Sequence, residues 1–425
     1  MLIGIDASRA NKNQKTGTEW YSYYLIRWLA KLDNKNKYIL YTDKPLAGGL
    51  LDLGTPQYLP GSGCWEKIEF DQNGWQTIKS PFNNFQAKIL NWPFNFFWTQ
   101  GRLSWEMIWH RPDLLFIPAH ALPIIHPGCS VVTIHDIAFE KNSKFYQEDD
   151  INRESEDIHP LLNFMVRLLT LGRYRASTLD YLRWSTKYGL KHARRVITVS
   201  NYSKSDLLNF YQAESDKISV IYNGYNRFLY KKIGNQEKIR QVLEIYSISG
   251  PYILYLGRIE NKKNIPRLIE AFSLVKQNNP QVKHKLVLAG KASYDYDDTN
   301  YAIQEFGLTD EVIMTGWVDE NDLPYFYNGS SAFIFPSNYE GFGIPLLQAM
   351  ACGIPIATSC CTAIPEVVGD AALLFNPLSV KSMAEAMEKI IVDESIRNKL
   401  IKAGNERIKQ FSWQKCAAET LNLLQ

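Results

Sequence analysis

Ala332-Phe333-Ile334-Phe335-Pro336-Ser337-Asn338-Tyr339-Glu340-Gly341-Phe342-Gly343-Ile344-Pro345-Leu346-Leu347-Gln348-Ala349-Met350 joins a short apolar run to an apolar helical pattern through a turn with two glycines. The run predicts a buried strand, and Gly353 after Cys352 predicts the end of the helix. In a strand–turn–helix of this kind, Gly341 and Gly343 let backbone N–H groups come close to a ligand. The helix start adds unpaired N–H donors and the positive end of its dipole, which favour a phosphate. Glu340 places a carboxylate at the turn, able to bind hydroxyls, and Gln348 lies further along the helix within reach of a ribose. The residues alone leave a plain tight turn equally open.

The same rhythm runs outward in both directions. Leu2 to Ile5, Tyr38 to Tyr41, Leu114 to Ile117, Val131 to Ile134 and Val196 to Val199 are strand-like, with amphipathic stretches such as Tyr21 to Leu32 between them. A second series starts near residue 218: Ile218 to Ile221, Tyr252 to Leu256, Lys285 to Leu288, Val312 to Met314, Ala332 to Phe335 and Ile354 to Ala357. Asn264 to Lys276 and Met383 to Ile391 read as helices. Alternating strands and helices predict an α/β chain with two doubly wound, mostly parallel sheets. The expected boundary lies near residue 205, giving domains 1–205 and 206–410, with a last helix within 411–425. Residues 61–102 and 140–187 break the rhythm, as binding loops on such scaffolds do.

Composition bounds the function. A chain of 425 residues with 45% hydrophobic and 21% charged residues can bury two cores without staples. A formal charge of +3 gives no reason to expect nucleic acid. The six cysteines contain no C-x-x-C pair and read as reduced thiols. The first residues resemble a core strand rather than a signal peptide, and no uncharged apolar run reaches spanning length. A cytoplasmic protein is expected, with room for contact at the inner face of a membrane.

Further segments carry chemistry. Leu256-Gly257-Arg258-Ile259-Glu260-Asn261-Lys262-Lys263-Asn264 puts a planar Arg fork and a Lys point charge after a strand. Val220-Ile221-Tyr222-Asn223-Gly224, Leu288-Ala289-Gly290, Thr315-Gly316-Trp317-Val318 and Pro365-Glu366-Val367-Val368-Gly369 follow strand-like runs or end them. In this order the segments resemble glycosyltransferase family 4 (group 1), the retaining nucleotide-sugar glycosyltransferases of the GT-B fold. That fold has two Rossmann-like domains facing a central cleft. The resemblance spans some 150 residues of the second half. The first half matches more weakly, at Thr133-Ile134-His135-Asp136, at Val199-Ser200-Asn201-Tyr202-Ser203, and at Lys15-Thr16-Gly17-Thr18, where the family has a glycine-rich loop and this chain one glycine.

The resemblance implies roles. Glu340 would contact hydroxyls of the donor sugar, Arg258 and Lys263 would clamp its diphosphate, and His135 would sit beside the reacting carbon. Gly17, Gly257, Gly316, Trp317, Val318, Gly341, Phe342, Gly343, Ile344 and Gln348 would line the donor. The family has a second Glu where this chain has Gln348, which trades a charge-assisted bond for a neutral one. The last helix would return to pack on the first domain. The implied reaction moves a hexose of mannose or glucose type, mannose first, from a GDP- or UDP-sugar to a glycan or lipid-linked acceptor in surface-polysaccharide or glycoconjugate synthesis. No cofactor and no metal is expected, since the two cations can do the work of Mg²⁺. Asp295-Tyr296-Asp297 reads as a surface loop, and His120 is a weaker site candidate. A nucleotide-sugar epimerase and a non-catalytic binding protein are the alternatives.

Two features bear on the acceptor. Trp92-Pro93-Phe94-Asn95-Phe96-Phe97-Trp98 is an aromatic run suited to stacking on sugars or meeting lipid headgroups. Arg167 to Arg195 carries Arg173, Arg175, Arg183, Lys187, Lys191, Arg194 and Arg195 against Asp180, so it could face an anionic lipid. A local core and a solvated helix face are the plainer readings.

Overall fold

The computed structural model describes residues 1–54, 74–78, 83–93, 97–141, 177–291 and 296–425. Cys64, Phe94 to Phe96, Arg173, Arg175, Asp295 and most of the two irregular stretches lie outside the described residues. The chain forms two compact units, Met1–Tyr222 with Trp413–Gln425, and Asn223–Ser412.

The first unit is built on strands β1 (Leu2–Asp6), β2 (Lys37–Thr42), β3 (Trp75–Thr77), β4 (Phe85–Ile89), β5 (Leu114–Ile117), β6 (Ser130–Thr133), β7 (Arg195–Thr198) and β8 (Ile218–Val220). Their order is β3-β4-β2-β1-β5-β6-β7-β8, parallel except for β3 against β4. The central strands are buried along their length, as a sheet covered on both faces requires. Strand β8 corrects the expected boundary. Ile218 to Val220 pair with Val196 to Thr198 and complete the first sheet, so the units divide after Tyr222 rather than near residue 205. The last helix, Trp413–Leu424, belongs to the first unit, where the Trp413 ring stacks on Tyr24 of helix Gly17–Leu32 at 5.4 Å.

The second unit holds β9 (Tyr252–Leu256), β10 (Lys285–Ala289), β11 (Val312–Gly316), β12 (Ala332–Phe335), β13 (Ile356–Ser359) and β14 (Ala372–Phe375). All pairs are parallel, in the order β11-β10-β9-β12-β13-β14. The connections run outward from β9 one way and from β12 the other. This reversal opens a crevice at the carboxyl ends of the two strands, where ligands of such sheets bind. Helix Ile265–Asn278 follows β9 and helix Ile344–Cys352 follows β12, and both start with proline in the first turn.

Candidate functional site

The loops after β9 and β12 meet at that reversal. After β9 the chain passes through Gly257 to Lys263, and Asn264 takes a left-handed conformation at φ 61° before the helix. Buried Asn264 is the hinge pin: its amide donates to the carbonyls of Pro336 at 3.3 Å and Pro377 at 2.8 Å. The N–H of Asn338 donates to the Lys262 carbonyl at 2.8 Å. The Pro336 and Asn338 bonds lock the β9 loop to the β12 loop, and the Pro377 bond ties it to the segment after β14.

The lock brings two of the sequence-derived residues into contact. The Lys263 ammonium donates to the Glu340 carboxylate, both side chains nearly buried, and it lies 5.4 Å over the Phe335 ring. Thr362, itself left-handed at φ 56°, accepts from the Glu340 N–H at 3.0 Å. Arg258 is exposed at the same loop, while its carbonyl accepts from the buried Tyr255 hydroxyl at 2.8 Å. Burial pushes the Glu260 carboxyl up, but the charges of Lys262, Lys263 and Arg258 outweigh it and hold the group below its ordinary value. Three cations thus face two carboxylates, leaving a positive surplus at the crevice.

Gly343 has φ 103° and caps the following helix. Gly341 has no left-handed backbone, so the turn demands glycine only at Gly343. Phe342 is buried with its ring edge-on to Phe411 at 5.8 Å, so its side chain serves the core rather than a ligand. Ile344 is half-buried at the first helical position. Gln348 is buried one turn on, and the hydroxyl of fully buried Tyr327 lies 3.0 Å from its Oε1 and 3.2 Å from the Pro345 carbonyl. Backbone bonds from Gly257 to Ala289 and from Gly290 to Gly316 carry the strand ends across to Trp317, which is 41% exposed, and to buried Val318.

His135 and Gly17 belong to the first unit. His135 follows β6, and its Nε2 lies 3.2 Å from the Pro118 carbonyl. A carbonyl only accepts, so Nε2 carries the proton and Nδ1 remains the acceptor. Burial pushes this imidazole down, offset in part by the Pro118 bond, Asp136 and Glu19, so it is neutral at pH 7. His120 lies 2.6 Å from the Thr186 hydroxyl and is pushed down to about 4 by burial. Gly17 opens the first helix, where Glu19 accepts from the Thr16 N–H at 3.1 Å. A Cβ built on Gly17 meets nothing within 4 Å, so packing gives no reason for glycine there.

Among the described residues no group of three or more His, Cys, Asp or Glu could hold a metal. Asp297 lies exposed in helix Tyr296–Glu305. Sequence reasoning missed Asn264 as a lock, Thr362 as a support for Glu340 and Tyr327 as the partner of Gln348. Their signals were faint: a left-handed Asn or Thr leaves no mark in the sequence, and Tyr327 is one of 24 tyrosines.

Two Rossmann-like α/β units, one with cations and a carboxylate gathered at its sheet reversal, define the GT-B class of glycosyltransferase. Residues 235–407 match the family described as glycosyl transferases group 1, and residues 16–227 match glycosyltransferase family 4. The O-antigen chain mannosyltransferase B of Escherichia coli is 32% identical over 317 residues, 73% of this chain and 80% of that protein. The chain therefore belongs to the family 4, group 1 glycosyltransferases. The serotype-specific mannosyltransferase WbdA of E. coli is 31% identical over 263 residues, 61% of this chain, which spans only 31% of that longer relative. Two solved structures share the fold along the whole chain. One is WaaG, a glycosyltransferase involved in lipopolysaccharide biosynthesis, with a TM-score of 0.66 and 14% identity, 100% of this chain and 99% of that one being covered. The other is HepE of Anabaena, crystallised with UDP and glucose, with a TM-score of 0.65 and 16% identity, covering 100% and 98%. No helix among the described residues is long and apolar enough to cross a membrane.

Proposed function

We propose that the protein transfers a hexosyl group, mannosyl first, from a nucleoside-diphosphate sugar to a hydroxyl of a glycan or lipid-linked acceptor in polysaccharide synthesis, with retention and without a metal ion. The observation that carries this reading is the Lys263–Glu340 pair at the sheet reversal, beside exposed Arg258. The mannosyltransferase names of the two relatives support the sugar, and the UDP held by HepE supports the donor class.

In this reading Arg258 and Lys263 neutralise the diphosphate, and Glu340 turns to hydroxyls of the sugar. The bond from the anomeric carbon to the diphosphate oxygen breaks while the acceptor oxygen bonds to that carbon on the same face. The acceptor proton passes to the leaving phosphate. Charge grows on the diphosphate in the transition state, so cations fixed there act where catalysis needs them. Gln348 addresses the ribose, the glycines of the loops admit the phosphates, and neutral His135 offers its imidazole to the sugar.

Thermal unfolding with a panel of nucleoside diphosphates and their sugars, with and without EDTA, tests the donor side. A ligand that binds only the folded state raises the midpoint. We expect a rise with one base, unchanged by EDTA, followed by sugar transfer from that donor. A midpoint that none of the panel moves would remove the donor site from this reading.

A further inference from the structure

We propose that His120 binds the acceptor, its Nδ1 accepting a hydrogen bond from an acceptor hydroxyl next to the one that is glycosylated. The first sheet reverses between β1 and β5: its connections run from β1 toward β2, β4 and β3, and from β5 toward β6, β7 and β8. Ligands of open α/β sheets bind beyond the carboxyl ends of the strands at such a point. His120 follows β5 there, and His135 follows the adjacent parallel strand β6.

The hydrogen bonds fix which nitrogen is open. The Thr186 hydroxyl donates to the Leu182 carbonyl at 2.8 Å, one turn back in helix Thr178–His192, so its only proton is taken. The His120 Nε2, 2.6 Å from the same oxygen, must therefore donate to it. Burial pushes the ring down to about 4, against the pull of Asp136 and with His135 and Arg9 adding to the fall, so it is neutral at pH 7. A neutral imidazole has one N–H, and Nδ1 is left as an acceptor. No residue among those described bonds this nitrogen, while Phe139 holds the half-buried ring edge-on at 5.7 Å. His135 has the same tautomer, set by the Pro118 carbonyl. Two separate networks thus leave acceptor nitrogens on neighbouring strands, which run about 4.8 Å apart. Phosphates and carboxylates offer no proton to such lone pairs; sugar hydroxyls do. With His135 at the donor sugar, His120 is the one turned to the acceptor. The assignment rests on the sugar-transfer reading and adds to it a residue that selects the acceptor.

The test uses the full chain with GDP-mannose as donor and octyl α-mannoside as the probe acceptor. Glutamine and asparagine divide the imidazole between them: Gln brings an amide N–H to the place of Nε2 and keeps the Thr186 bond, whereas Asn sets a carbonyl oxygen at the place of Nδ1. His120→Gln is expected to keep the melting point at pH 7 and the Kd for GDP, and to lower kcat/KM for the acceptor about tenfold, the scale of one hydrogen bond to substrate. His120→Asn is expected to recover most of that loss. A ring that serves only the fold predicts the opposite order. That order, or a His120→Gln enzyme as fast as the parent, overturns the proposal. Nitrogen-15 spectra of the parent, which depend on no variant folding, are expected to show the His120 proton on Nε2 and an Nδ1 resonance moved by octyl α-mannoside in the presence of GDP. A proton on Nδ1, or an unmoved resonance, overturns it as well. A parent that transfers no mannose overturns the sugar-transfer reading and this proposal with it, whereas an active parent matched by His120→Gln overturns this proposal alone.

Discussion

Lys263 and Glu340, 77 residues apart in the chain, form an ion pair that ties the loop after β9 to the loop after β12. Each side chain exposes about an eighth of its surface, so neither is a freely solvated surface charge. Removing one partner leaves the other charge partly buried and uncompensated. Lys263→Ala should therefore cost both stability and transfer, with the turnover number falling about a hundredfold or more, the scale for losing one transition-state donor. Glu340→Gln keeps the shape and one acceptor, and should raise KM for the donor while leaving nucleoside diphosphate binding nearly intact. Steady-state kinetics and diphosphate titration on the two variants check this. A Lys263→Ala enzyme as fast as the parent would remove Lys263 from the site.

Gln348 is held by Tyr327, and the bond has only one hydroxyl proton to place between Gln348 and the Pro345 carbonyl. If Tyr327 donates to Gln348, the amide N–H groups face outward; if it donates to Pro345, the amide turns and its carbonyl faces outward. A carboxylate at this position could only accept, so Tyr327 would have to donate to it. Gln348→Glu should then tighten a nucleotide with both ribose hydroxyls by about fivefold, the scale of exchanging a neutral for a charge-assisted bond. It should leave the matching 2′-deoxynucleotide unchanged. Tyr327→Phe should weaken ribose-containing nucleotides and lower the melting point of the second unit by a few degrees, about 1 kcal/mol. Calorimetric titration of the nucleotide pair on each variant distinguishes ribose contact from general loosening.

The two histidines give the first unit a pH dependence whose sign follows from their burial. His120 and His135 both titrate below 6.5 when folded, His120 at about 4, because burial penalises the charged ring. Between 6.5 and those lower values the unfolded chain binds protons that the folded chain refuses. Stability therefore rises with pH across this window and is lost on acidification through it. Melting followed from pH 7 to about 4 should show the fall, and His120→Gln should flatten it, since an amide can bond Thr186 without titrating. Equal slopes in parent and variant would show that His120 is not the group responsible.

Much of this architecture was legible because apolar runs such as Tyr252 to Leu256 and Ala332 to Phe335 are buried on both faces and carry no polar alternation to confuse them. Strand β4 was not legible. Its Phe-Gln-Ala-Lys-Ile puts a lysine in the interior, and Lys88 is tolerated there because it meets Glu106 at 2.5 Å, a partner 18 residues away, and lies 5.1 Å over the Trp75 ring. Strand β8 was seen as a strand but given to the wrong sheet, since three residues carry no mark of which edge they will join. In the candidate site, the places of Arg258 and Lys263 after β9 and of Glu340 after β12 were readable from the apolar runs before them. The contact between Lys263 and Glu340 was not, because it depends on the Asn264 lock to Pro336 and the left-handed Thr362 that seat the loops.

Gly343 offers the sharpest test of how the turn is built. Its φ of 103° lies where a side chain is strained, and a Cβ there would come within 2.9 Å of the Leu346 Cδ1. The leucine can shift, but the backbone cannot relax without moving the start of the helix Ile344–Cys352. Gly343→Ala should therefore destabilise the second unit by more than about 1 kcal/mol, through backbone strain rather than lost contact. Gly341→Ala needs no left-handed backbone and should avoid this strain. If the helix start also serves the diphosphate, Gly343→Ala should weaken nucleoside diphosphate more than nucleoside, because only the diphosphate meets the backbone N–H groups there. Melting curves together with paired titrations separate the two effects: lower melting with unchanged ligand preference would confine Gly343 to the fold, whereas a selective loss of diphosphate would place the turn at the phosphates.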